Sequence, residues 1–329
     1  MNKSKFQPRA KCSSLSLLPN ACHFYTEFLE GFSQSNRHKA NMINLEDNAH
    51  NGKVSVKGRK RLECALQWLL YYAKPKRVSC SELQKSFTFK INFCTLTLPA
   101  AQVHSDTEIT SRCLSNFFDV WKKQGGLGEY IWRAEAQANG NIHYHIVTDT
   151  YIHYNTLRRW WNQSVELLGY VSAFELKFHH RNPNSTDIHS VKHVNKLSSY
   201  LAKYMTKERA FVCIGELRLI KGEQVEVLYG SKLYRSEPAN KKTGKVIGHV
   251  LGGRVRLITS KLWSCSRGLS KMKALKISGS EYRFAAVSDL ISQVDSKVYQ
   301  SDFVRSYYGD FSAVVGKVLV NDLDDNLPF

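Results

Sequence analysis

The chain has 329 residues, with 47 Lys and Arg against 28 Asp and Glu, a formal charge of +19, and 43% hydrophobic residues. That apolar share supports a packed core and excludes disorder over the whole length. The charge points to a polyanionic partner, and nucleic acid is favoured over a membrane because the longest apolar run, Ala65 to Ala73, is about half of a spanning helix. The eight cysteines are scattered without a CxxC pair, which argues against a zinc ribbon or disulfide framework and for reduced thiols. The basic start, Met1 to Lys5, is followed by a stretch too short and polar for a signal peptide, so a cytoplasmic location is expected.

In chain order, residues 1 to about 52 are rich in Ser, Asn and Lys and show no sustained period. We expect a loosely ordered arm there, locally helical only from Phe24 to Phe32. Between Lys53 and Arg77 eight basic residues face Glu63 alone, and Leu62, Ala65, Leu66, Leu69, Leu70 and Ala73 follow helical spacing. An amphipathic helix with basic ends is expected, and Lys57, Arg59, Lys60 and Arg61 are candidate DNA contacts; an ordinary surface helix is the plain alternative.

From Phe87 the pattern predicts a strand over 87–98, a helix over 106–124, strands over 130–137 and 141–149 and a helix over 154–169. Strands over 171–180 and 186–191 and a helix over 196–208 follow. This is an α+β layer, a central antiparallel sheet with flanking helices. Later come β ribbons over 211–235 and 245–263, joined by the basic turn 240–245, and a tail from Asn321 that frays. The implied organisation is an N-terminal arm over 1–80, a central domain over 81–215 and a β-rich region over 216–329.

The chemistry concentrates in the stretch Glu135 to His145. Side chains alternate along a strand, so His143 and His145 share a face and can chelate one divalent metal. Glu135 joins them only if the turn has the right parity. A three-residue loop over 138–140 sets Glu135 across from His143, whereas a two-residue Asn139-Gly140 turn points it away. We expect the odd loop or a bulge. Two imidazoles and one carboxylate suit a metal with open positions rather than a closed structural site.

On the helix expected over 196–208, Tyr200 and Tyr204 stand four apart with Lys203 between them, so two hydroxyls and an ammonium share one face. Packing is the bland reading of these tyrosines. The chemical one must offset about 4 kcal/mol to form tyrosinate at neutral pH, at ~1.4 kcal/mol per pKa unit. A neighbouring Lys or another proton acceptor, with a metal polarising the phosphate, can supply that offset and make Tyr a phosphoryl nucleophile.

Phe93 to Leu98, His143-Tyr144-His145 and Tyr200-x-x-Lys203-Tyr204 stand in the order of the three motifs of HUH-superfamily rolling-circle replication initiators. With Leu262 to Leu269 downstream, the chain resembles the initiators of microviruses, small single-stranded DNA phages, over about residues 85–271. The resemblance implies an RRM-like sheet that binds Mg²⁺ or Mn²⁺ through His143, His145 and Glu135. It implies Tyr200 and Tyr204 as nucleophiles that nick single-stranded or locally melted origin DNA, leaving a 5′-phosphotyrosine and a 3′-OH. Lys203 would contact the phosphate or orient the active tyrosine. Host helicase and DNA polymerase would be partners in the host cytoplasm. A plasmid initiator or transposase with the same chemistry, or a DNA-binding protein without catalysis, are the alternatives.

Thr95 and Thr97 share a strand face and are candidates to line DNA, or simply strand formers. Arg158 and Arg159, beside Trp160 and Trp161, are candidates to hold single-stranded DNA, though a core-facing tryptophan pair is favoured. No GxxxxGK[ST] is present, so unwinding falls to another protein.

Overall fold

The computed structural model describes residues 10–28, 54–80, 85–137, 139–191, 211–220, 223–230, 258–277, 281–300 and 304–324. The architecture is α+β, with two five-stranded antiparallel sheets. The elements before residue 130 are β1 (Ala10–Leu18), β2 (Ala21–Phe28), α1 (Val56–Tyr72), β3 (Lys76–Cys80), β4 (Lys85–Phe89), β5 (Ile91–Thr97) and a helix α2 from Asp106 to Gly125. Next come β6 (Tyr130–Ala136), β7 (Ile142–Thr148), α3 (Tyr154–Glu166), α4 (Tyr170–Phe178), β8 (Thr186–Val191), β9 (Phe211–Ile220) and β10 (Glu223–Gly230). The rest are β11 (Trp263–Cys265), α5 (Arg267–Lys271), β12 (Leu275–Ile277), α6 (Glu281–Ser292), β13 (Ser296–Gln300), β14 (Val304–Gly309) and α7 (Ser312–Asp324).

The central sheet has the order β11-β6-β7-β5-β8. One of its faces carries Cys94, Leu96, Trp132, Ala134, Ile142, Tyr144 and Ile146, packed against Phe117 and Trp121 of α2 and Leu157 and Trp161 of α3. Ser105 and Glu108 form a capping box that starts α2, and Gly126, at φ 57°, stops it in the left-handed conformation. A π-helical stretch, Ile109–Leu114, brings Thr110 Oγ1 to 2.9 Å from the hydroxyl of Tyr144, satisfying the polar end of a fully buried ring. The other face is divided. Ile91, Phe93, Ile131 and Val147 join a second core with α1, α6, α7 and the terminal sheet, while the opposite strand ends carry Thr95, Thr97, Arg133, Glu135, His143 and His145.

The terminal sheet, β12-β1-β2-β14-β13, unites segments from the two ends of the chain. The expected loosely ordered arm therefore contains two strands, and the helix expected over Phe24 to Phe32 is instead β2 through Phe28. β2 is held by a hairpin ladder to β1 across Pro19 and Asn20 and by a long-range ladder to β14, and no local period announces the second. A second correction concerns 171–180, expected as a strand. It is α4, where Phe174 and Phe178 share a face with ring centroids 4.5 Å apart. The strand expected over 87–98 divides at Lys90, because β4 pairs back on β3 while β5 enters the central sheet. The amphipathic helix is confirmed as α1, buried at Leu62, Ala65, Leu66, Trp68, Leu69 and Leu70. The expected helix over 196–208 and the turn 240–245 lie outside the described residues.

Candidate metal centre

The β6–β7 register decides the site. Glu135 pairs with His143 and Arg133 with His145, the parity of the three-residue loop. Gln137 N–H donates to the Asn141 carbonyl at 2.8 Å and Gly140 N–H to the Gln137 carbonyl at 2.9 Å. Gly140 adopts φ 86°, a conformation that favours glycine. Asn141, buried, fixes the loop by donating to the Ala100 carbonyl and accepting from Gln102 N–H, each at 2.9 Å.

The three side chains consequently converge. His143 Nε2 and His145 Nε2 are 3.0 Å apart, and Glu135 Oε2 lies 3.6 and 3.5 Å from them. Donor atoms bound at about 2.1 Å to one divalent ion stand roughly 3.0–3.6 Å from one another, so this triangle fits one face of a coordination polyhedron. Two imidazole nitrogens and one carboxylate oxygen form a mixed donor set able to hold one divalent ion. Thr95 Oγ1, 3.2 Å from His145 Nδ1, holds the ring from behind, and Phe93 stacks on it at 5.3 Å between centroids. Both contacts leave Nε2 facing the triangle. Burial by itself would raise the Glu135 pKa. Hydrogen bonds from His143 and His145, then the charges of His145 and Arg133, outweigh it and hold the carboxyl well below the usual range. Glu135 is thus an anion at neutral pH, ready to ligate.

The other candidates are placed as follows. Thr97 Oγ1 donates to the Ser185 carbonyl at 3.0 Å, and Thr95 supports His145. Arg158 and Arg159 ride on α3, whose buried residues pack on the face away from the triad, and Arg158 lies over the Tyr154 ring. Trp160 and Trp161 are core residues, and the Trp161 indole donates to the Thr97 carbonyl at 2.7 Å. Lys57, Arg59, Lys60 and Arg61 occupy the first turns of α1, capped by Ser55, where no acidic residue complements the helix dipole. This basic start borders the central sheet: Trp263 of β11 lies beside Gly58, and the Arg61 charge acts on Cys265. Tyr200, Lys203 and Tyr204 lie outside the described residues.

Sequence reasoning did not single out Arg133. It is 6% exposed, shares the face of Glu135 and places Nε 3.8 Å from Glu135 Oε1. Its signal was available, since it stands two residues before Glu135 on the same strand.

An α+β protein with a Glu-His-His cluster able to bind a metal ion is the class these observations define. Residues 91–209 match the family model of the replication-associated protein ORF2. The match begins at β5, covers all three members of the triad and runs on through Tyr200 and Tyr204. No curated protein matches the chain. No helix among the described residues is long and apolar enough to cross a membrane.

Proposed function

We propose that the protein is a replication initiation endonuclease of the HUH type. In this reading it nicks single-stranded or locally melted origin DNA by tyrosyl transesterification and later rejoins the strand. The observation that carries this reading is the convergence of Glu135, His143 and His145 inside the segment that matches a replication-associated family. Charge of +19 supplies the attraction for the substrate. We assign the chemistry to residues 81–215, with residues 1–80 and 216–329 as flanking regions.

A divalent cation held by Glu135, His143 and His145 would supply positive charge beside the scissile phosphate. The Tyr200 hydroxyl passes its proton to a neutral Lys203 or another acceptor and attacks phosphorus; the Tyr–O–P bond forms as the P–O3′ bond breaks, and the leaving oxygen takes up a proton from that acid as the primer 3′-OH. Lys203, three residues from Tyr200, contacts the phosphate or orients the tyrosine. Tyr204 is the second nucleophile, which cuts the regenerated origin while the first end stays covalently held. The ester keeps the energy of the broken bond, and rejoining needs no nucleotide cofactor. Lys57, Arg59, Lys60 and Arg61 grip the phosphate backbone without reading sequence. We place the reaction in the cytoplasm of a phage-infected host, with host helicase and polymerase completing the round.

Incubation of the protein with origin oligonucleotide and Mn²⁺ tests the reading. An SDS-resistant protein–DNA adduct is expected. DNA bound but never linked overturns it and leaves a non-catalytic DNA-binding protein; an adduct that survives Tyr200→Phe with Tyr204→Phe overturns the assignment of these tyrosines as the nucleophiles.

A further inference from the structure

The terminal sheet has a second face that the metal centre does not use. Leu15, Leu17, Cys22 and Phe24 point to the core side, where Phe24 meets Phe284 of α6. The alternate residues of the same strands point outward, and by register Tyr25, His23, Ser306, Tyr308, Tyr299 and Lys297 form one continuous row over β2, β14 and β13. Four of these are flat rings. Centroids lie 6.5 Å apart for Tyr25 and His23, 5.9 Å for His23 and Tyr308, and 5.6 Å for Tyr308 and Tyr299. The tyrosines are 39%, 47% and 61% exposed for Tyr25, Tyr308 and Tyr299, an unusual display for side chains that gain by burial.

We propose that this face is a second nucleic-acid site, a platform on which bases of single-stranded DNA stack across Tyr25, His23, Tyr308 and Tyr299. Charge selects this occupant over an apolar protein surface. Lys297 stands beside Tyr308, Lys276 of β12 faces Ser16 next to His23, and no described side chain of the row is a carboxylate. Farther along β2 the register sets Glu27 opposite Lys11. The His23 pKa is lowered by burial and then by the Lys60 ammonium at the basic start of α1. The same turn of α1 borders β11 of the metal-bearing sheet through Arg61. The basic start of α1 therefore lies within electrostatic reach of both sheets. Stacking on aromatic rings with flanking cations is the chemistry by which proteins hold single strands without reading sequence. The choice of DNA over RNA rests on the endonuclease reading; the platform itself does not.

The test uses the full chain in EDTA with a labelled oligo(dT), so that no cleavage chemistry is involved and its outcome is separate from that of the adduct assay. Tyr25→Ala, Tyr299→Ala and Tyr308→Ala together should weaken binding at least about tenfold, while the three Phe substitutions stay within about twofold, since stacking needs the ring and not the hydroxyl. Lys276→Ala with Lys297→Ala should lower the salt slope by about 1.4, two phosphate contacts on a single strand. With 5-iododeoxyuridine in the strand, photocrosslinked peptides should contain Tyr25, Tyr299 or Tyr308. Wild-type binding by the Ala variant, equal loss in the Phe variant, or crosslinks confined to other segments overturn the proposal. So does a wild-type dimer that the Ala variant dissociates, which would give the face to a second copy of the chain.

Discussion

The two five-stranded sheets share an antiparallel build and present opposite kinds of chemistry. In the central sheet the outward row ends in Glu135, His143 and His145, each under a fifth exposed and supported by Thr95, Phe93 and Arg133. In the terminal sheet the outward row carries three exposed tyrosines around the half-buried His23, with no chelating set among the described residues. A half-buried, hydrogen-bonded triad can hold one ion in one geometry, whereas an open aromatic face tolerates many ligands. Rigidity therefore goes with the site where bonds would be broken, and tolerance with the surface where a strand would lie.

Several experiments break or sharpen this contrast. The largest effect is expected from Tyr200→Phe with Tyr204→Phe, which should abolish the covalent adduct while binding of oligo(dT) on the terminal sheet persists in gel-shift assays. Trp161→Ala removes a fully buried indole beneath the central sheet, and chemical denaturation should show a loss of about 3–5 kcal/mol. Comparable truncation at exposed Tyr299 should cost under about 0.5 kcal/mol. Mn²⁺ at a hundredfold excess over its Kd should stabilise the wild type by about 2.7 kcal/mol in thermal unfolding, and His143→Ala should remove that gain. A gain retained by the variant would mean that the ion sits elsewhere.

Neutralising Lys57, Arg59, Lys60 and Arg61 should flatten the salt dependence of DNA binding, by up to about 3 in slope on single strands, with little change in folding stability. The smallest effect concerns acid stability. Burial would raise the Glu166 pKa, but hydrogen bonds from Ser172 and Arg181 and the Arg181 charge lower it. Its contribution is therefore complete above the ordinary carboxylate pKa of about 4.3 and disappears as pH falls through the lowered folded value. Arg181→Ala should shrink that acid-limb change in melting temperature; an unchanged acid limb would show the 2.6 and 2.7 Å pairs to Glu175 and Glu166 to be inert.

Much of the candidate site was legible before any fold was known. The alternation His143-Tyr144-His145 placed two imidazoles on one face and a bulky ring on the other, and Tyr144 is fully buried there. Arg133 was equally legible by parity, but its register with His145 needed the pairing of β6 with β7. The Asn139-Gly140 dipeptide left two loop lengths open, and hydrogen bonds from Asn141 to Ala100 and Gln102, some forty residues away in sequence, favour the one that turns Glu135 inward. The 171–180 segment reads as a strand because Phe174, Leu176 and Phe178 alternate with Glu175 and Lys177, but Leu176 and Phe178 are exposed, and the burial of Tyr170 and Val171 that holds the helix is a tertiary matter.

The sequence by itself determined the basic charge, the α+β pattern, the buried stripe of α1 and the two histidines on one strand face, because all of these depend on composition or on spacing within one element. Only the tertiary structure decided that Glu135 joins them and that β1 and β2 leave the supposed arm to pair with β12 and β14 from the far end of the chain. The physical reason is that a strand is completed by hydrogen bonds to other strands. Its partners, and hence which side chains line up across a sheet, are set by contacts outside the strand, from some forty residues away at the β6–β7 turn to almost the whole chain in the terminal sheet.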